Sequence, residues 1–121
     1  MIGLTLALLA QAAWNDNVEI KLRPLPPSAQ EALASYRHCV SDRIAGWKAE
    51  KPFRQIAPEQ VISSCATVRA TARGDAIRIT RSAPGFGVEE AEKTVDILLR
   101  LADRNVGVEV VNYAPAEGGK R

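Results

Sequence analysis

Residues 28–48 read SAQEALASYRHCVSDRIAGWK, and their spacing decides the fold class. Leu33, Tyr36, Val40, Ile44 and Trp47 recur at intervals of 3, 4, 4 and 3, the period at which side chains return to one side of an α-helix. Mostly charged, polar or small residues fill the positions between them, so one stripe is apolar and the remainder is solvated. Ser28 and Glu31 match a capping box, in which the hydroxyl accepts from an orphan amide and the carboxylate reaches back to the cap amide. The pattern predicts a helix over Ala29–Lys48, with Cys39 bordering its apolar face.

Lys51-Pro52 breaks that helix, and Phe53 and Ile56 are expected to tuck back on the core from the loop. Pro58 suits the first position of a second helix, where its missing N–H costs nothing. Val61, Cys65, Val68, Ala72, Ala76 and Ile79 follow at 4, 3, 4, 4 and 3. Gly74-Asp75 either interrupts this helix or only weakens it; the favoured reading ends the helix near Arg73 and leaves residues 76–80 open between helix and strand. Residues 82–87 form a loop. A third helix starts at Val88 or Glu89, with Glu89, Glu90 and Glu92 complementing the positive end of its dipole. Its apolar face is Val88, Ala91, Val95, Leu98 and Ala102. Leu99 and Leu101 widen that face and mark this helix as the most buried, with Asn105 or Gly107 ending it in a left-handed cap.

Two segments alternate with period two, the signature of a half-buried strand. Val18, Ile20 and Leu22 alternate with charges over Asn17–Arg23, and Val108 and Val110 flank Glu109 within Val106–Tyr113. The expected architecture is mainly α: a small three-helix domain built on a disulfide-linked helical hairpin. The two strand candidates near its ends give an α+β variant if they pair. The chain divides into a signal peptide (1–12), an extended N-terminal segment (13–27), a single helical domain (28–113) and a disordered tail (114–121).

Ile2 to Leu9 carries no charge, and Ala10-Gln11-Ala12 follows with the small-x-small pattern of a signal peptidase site. Cleavage is expected after Ala12. The apolar run is shorter than the roughly 20 residues a membrane-spanning helix needs, so no stable span remains after cleavage. No Lys or Arg precedes the run, which means a weak signal or a true start upstream of Met1. The competing reading, a buried N-terminal helix, would show polar residues at helical spacing, and this run shows almost none. Removal of the leader leaves about 109 residues, the size of one small domain.

Cys39 and Cys65 are the only two cysteines. In an antiparallel hairpin of the first two helices, both lie about 12–14 Å from the connecting loop at 1.5 Å per residue. They therefore sit at one level on facing helices. An even count in an exported chain predicts a Cys39–Cys65 disulfide. The loop it closes, roughly 27 residues, is worth about 3.6 kcal/mol in the chain-entropy model.

The formal net charge of +2 argues against a dedicated nucleic-acid binder. The charge is uneven, because Arg54, Arg69, Arg73, Arg78 and Arg81 precede the acidic stretch that holds Glu89, Glu90, Glu92, Asp96 and Asp103. Arg69 and Arg73 lie four apart on one helical face and are candidates to grip an anion or a partner. Pairing with the acidic helix is the blander outcome. His38 is the only histidine, too few ligands for a metal site with Cys39 alone. No motif calls for a cofactor, and no nucleophile elbow is present. The expectation is a periplasmic or secreted non-enzymatic protein that binds a protein or an anionic envelope component. The alternative is a small envelope hydrolase or redox enzyme using His38 or the cysteines.

Overall fold

The computed structural model describes residues 24–115. The signal segment with its Ala12 cleavage site, most of the N-terminal extended segment, the strand candidate at 17–23 and residues 116–121 of the tail lie outside the described residues. Four helices make up the domain: α1 Pro27–Lys48, α2 Pro58–Ser64, α3 Ala66–Arg81 and α4 Val88–Asn112. Among the described residues there is no strand. The chain runs down α1, back up through α2 and α3, and down again along α4. The most extensive interface joins α1 to α3, and α4 packs chiefly on α3 and α2.

The apolar stripe of α1 is buried as its spacing predicts: Leu33, Tyr36, Val40, Ile44 and Trp47 all lie in the core. The start of α1 differs from expectation. Pro27 occupies the first helical position and Pro26 the cap, whose carbonyl accepts from the amides of Ala29 (2.9 Å) and Gln30 (3.0 Å). No side chain caps this end, so the Ser28–Glu31 box does not form. Proline at the first position is already set to helical φ and has no amide to satisfy, and the helix therefore begins before Ser28 can act as its cap. Leu25 precedes it, buried in the core, and its carbonyl accepts from Gln30 Nε2 at 2.8 Å.

The second predicted helix is two helices. The interruption falls at Cys65 (φ −111°, ψ 18°), not at Gly74-Asp75. α2 leans on α4 while α3 aligns with α1, so the chain changes direction at the joint between them. Gln60 Oε1 accepts from the Ala57 amide at 2.8 Å and tidies the start of α2. α3 continues through Gly74 because Ala72, Ala76, Ile77 and Thr80 are buried on both sides of it. Residues 76–80 are thus helical: tertiary burial outweighs the cost of one glycine, about 1 kcal/mol. Gly74 is exposed, and a Cβ built there meets nothing within 4 Å. Gly74→Ala is therefore expected to stabilise the protein by about 0.5–1 kcal/mol, read as a rise in the urea midpoint at unchanged slope.

A turn at Ala83-Pro84-Gly85-Phe86 leads into α4. Gly85 has φ 90°, and the Phe86 amide reaches the Ala83 carbonyl at 3.4 Å. Proline then glycine at the two central positions suits a type II turn, which requires positive φ at the second.

α4 departs from the sequence reading twice. It runs past Asn105 and Gly107 to Asn112, so the strand expected at Val106–Tyr113 is helix. The alternating valines are ambiguous: Val106 and Val110 are also four apart, and both are buried. Tyr113 then pins the helix end by packing on Trp47 (5.3 Å between ring centroids) and Phe53 (5.7 Å). The second departure is rotational. The buried positions are Ala91, Thr94, Val95, Leu99, Val106 and Val110, whereas Val88 is 50% exposed and Leu101 41%. Among the described residues, the large apolar side chains that are exposed, Val88, Leu101, Val108 and Val111, all lie on α4. This helix is therefore not the most buried one: it packs on one side only.

Candidate functional site

Cys39, near the middle of α1, and Cys65, at the α2–α3 joint, form a disulfide with their Cα atoms 6.1 Å apart. Cys65 is buried at 1% exposure and Cys39 is half-buried. The bridge ties α1 to the point where the returning chain bends. Both sulfurs are committed to it, and no described cysteine is free.

The two candidate arginines lie one turn apart on α3 and face α4. Arg69 forms a forked pair with Asp103, Nη2 to Oδ2 at 2.6 Å and Nε to Oδ1 at 3.2 Å. Arg73 forms a second fork with Asp96, at 2.6 and 3.0 Å. Asp103 Oδ1 also accepts from the Tyr36 hydroxyl at 2.5 Å, and the Arg69 guanidinium lies over the Tyr36 ring at 5.6 Å. One aspartate thus joins α1, α3 and α4. The uneven charge seen in the sequence corresponds to this seam, with the basic face of α3 set against the acidic side of α4.

The electrostatics follow from that geometry. Burial, reinforced by the hydrogen bond to Asp103, pushes the Tyr36 phenol up to about 12. The hydrogen bond from Arg73 holds the Asp96 carboxyl below its ordinary value, and Arg69 is raised chiefly by its bond to Asp103. A tyrosine so shifted has no proton to exchange near neutrality. The cluster acts as a clamp. Its planar forks match carboxylates, and the carboxylates they meet belong to this chain.

His38 stands exposed on α1, with no bonded partner among the described residues. Among the described residues no three His, Cys, Asp or Glu side chains converge as a metal site would require. No described helix is long and apolar enough to cross a membrane.

Two open surface features stand out among the described residues. The first is a cavity of about 430 Å³ beside Trp47 at the lower end of α1. Its rim carries charges of both signs, Asp42, Arg43, Glu50 and Arg54, of which Glu50 and Arg54 pair at 3.0 Å. The second is a trough between α1 and α4. These helices run parallel, but each packs far more on α3 than on the other. The upper part, about 440 Å³, includes Leu25, Leu33, Leu98 and Leu101 in its walls, and the lower part, about 130 Å³, includes Val40, Ile44 and Val106. Arg37, Ala102 and Asn105 belong to both. At the lower end Glu109 pairs with Lys48 at 3.2 Å, whose ammonium lies over the Tyr113 ring.

No family model, curated protein or solved structure matches the chain. Its chemistry therefore has to be read from its own residues.

Periodicity alone does not single out Arg37, Asp96 and Asp103, and it gives Tyr36 a place in the core only. Tyr36 reads as one more core residue until its hydroxyl is seen on Asp103. The sequence does carry a trace of the forks: Arg69 and Arg73 are four apart and Asp96 and Asp103 seven apart, both spacings that keep side chains on one side of a helix.

Proposed function

We propose that this protein is a small exported, non-enzymatic binding module, periplasmic or secreted, that engages a protein or an anionic envelope component. The observation that carries export is the Cys39–Cys65 bridge between α1 and the α2–α3 joint. Such bridges persist in oxidising compartments and are rare where thiols are kept reduced. The uncharged run from Ile2 to Leu9, followed by Ala10-Gln11-Ala12, supports the same compartment. Support for binding over catalysis comes from the site chemistry. Arg69 and Arg73 are spent on internal carboxylates, while Arg37 stays exposed with no ion pair or hydrogen bond among the described residues.

The alternative, an envelope hydrolase or redox enzyme using His38 or the cysteines, has less support. His38 has no bonded neighbour to orient or activate it among the described residues, and Cys39 and Cys65 lack the closely spaced pair at a helix start that redox catalysts use.

Intact mass of the native protein, with and without reductant followed by alkylation, tests the export reading. The expected species begins at Ala13, resists alkylation as isolated and takes two alkyl groups after reduction. Native protein that retains Met1 and labels freely at both thiols would overturn it.

A further inference from the structure

α4 is apolar on two sides. Val95, Leu99, Val106 and Val110 are buried against the rest of the domain. At about 100° per residue, Leu101, Val108 and Val111 fall within about 80° of one another on the opposite side. They are 41%, 54% and 66% exposed. Ile97, half-buried, extends this outer strip one turn toward the start of the helix. From Ile97 to Val111 the strip is about 21 Å long.

The charges around it are one-sided. From Lys93 to Asn112, α4 holds three carboxylates, and each is met by a cation from another helix: Asp96 by Arg73, Asp103 by Arg69 and Glu109 by Lys48. The three cations of the same stretch, Lys93, Arg100 and Arg104, are exposed and make no ion pair or hydrogen bond among the described residues. By the same helical spacing they lie along one edge of the strip. Arg37 of α1, also exposed and without such a bond, stands at the other edge, in a wall shared with Leu98, Leu101 and Asn105. The exposed apolar strip is therefore bordered by four cations that no carboxylate of the described residues engages.

Charge and size separate the occupants. A second copy laid strip to strip would set these cations against their own counterparts, with the neighbouring carboxylates already taken. A strip about 21 Å long and one helix, about 10 Å, wide also falls well short of the roughly 800 Å² per partner of a stable protein interface. That shortfall counts equally against a folded partner protein docked on this side alone. A lipid surface needs no such footprint. Apolar side chains insert shallowly into it, while the long stems of Lys and Arg keep their charges among the headgroups.

We propose that the outer side of α4 is a peripheral membrane contact that lies in the plane of an anionic lipid surface. Leu101, Val108 and Val111 enter the boundary between headgroups and acyl chains, and Lys93, Arg100, Arg104 and Arg37 meet the lipid phosphates. No described helix is long and apolar enough to cross a membrane, so the contact lies on the surface. The inference rests on the reading of the protein as a binding module for an anionic envelope component and names that component as lipid.

The test is sedimentation of the native oxidised protein with vesicles. Vesicles of equal parts phosphatidylglycerol and phosphatidylcholine should carry it down, and vesicles of phosphatidylcholine alone should not. Arg100→Gln with Arg104→Gln should weaken binding about 30-fold, on the order of fivefold per cation. Lys51→Gln with Arg81→Gln removes the same charge elsewhere and should weaken it less than about threefold. Val108→Ser with Val111→Ser should weaken it about tenfold. All six positions are exposed, so far-ultraviolet dichroism should stay unchanged. Absence of binding to the anionic vesicles overturns the proposal. So does equal weakening by both charge pairs, which would mean attraction by net charge alone. Binding indifferent to the serine pair overturns it too, as does a concentration-dependent dimer that the serine pair returns to monomer. A native protein partner that binds through α4 while the vesicles do not overturns the lipid and leaves the binding-module reading intact. Turnover of a substrate that is lost in His38→Ala would instead sink that reading.

Discussion

Replacing Cys39 and Cys65 together by alanine is expected to lower unfolding stability by about 3–4 kcal/mol. The bridge joins residues 26 apart in sequence, and a closed loop of that length removes conformational freedom from the unfolded chain worth about 3.6 kcal/mol. Domains of this size hold only about 5–15 kcal/mol in total, so the loss is a large share of the whole. The effect acts through the unfolded state. Urea denaturation of the variant should therefore show both a lower midpoint and a steeper slope, because an unclamped chain exposes more surface. Reduction of the wild-type protein should reproduce the shift. A double variant within 1 kcal/mol of the parent would mean that packing of α1 on α3 already holds the bridged residues together.

The second large effect lies at Tyr36. It is fully buried, at 0% exposure, with its ring in the core and its hydroxyl on Asp103. Tyr36→Ala removes the ring and leaves a cavity, for an expected loss of about 3–5 kcal/mol. Tyr36→Phe keeps the ring and removes one hydrogen bond to a charged acceptor, for an expected loss of about 1–2 kcal/mol. Asp103 still holds the Arg69 fork in that variant, so the carboxylate is not left bare. The pair of substitutions separates packing from hydrogen bonding at one site.

The same residue predicts an alkaline transition. The folded phenol is raised from 10.0 to about 12, so the fold favours the protonated form. Its contribution is fully present below the unfolded pKa and is lost as pH rises from about 10 to about 12, on the order of 2 kcal/mol. Tyr36→Phe should lack this part of the slope. Stability measured against pH in both proteins gives the difference directly, and parallel curves above pH 10 would show that the hydroxyl is not held as described.

Helical periodicity proved strong where burial lies on one stripe of a long element. The spacing of Leu33 to Trp47 located both the extent of α1 and its buried face. The hairpin arithmetic placed Cys39 and Cys65 at one level, because 1.5 Å per residue is the same on both helices. Where a local signal can be satisfied in two ways, the sequence misled. Val106, Val108 and Val110 alternate as a strand would, yet Val106 and Val110 also fit one side of a helix, and the aromatic packing of Tyr113 on Trp47 favours the second. Gly74 carries a helix penalty smaller than the gain from burying Ala72, Ala76 and Ile77 around it. The cap at Ser28 was pre-empted by Pro27.

What the residues determined unaided is the helical class, the core stripe of α1 and the covalent pairing of two cysteines, since each depends on distances measured along one chain segment. Which side of α4 is buried, where the returning helix bends, and which carboxylates meet Arg69 and Arg73 depended on how separate helices settle against each other. Those choices are made by non-local packing, and so is the opening of a trough around Arg37, because a gap between two helices belongs to neither of them alone.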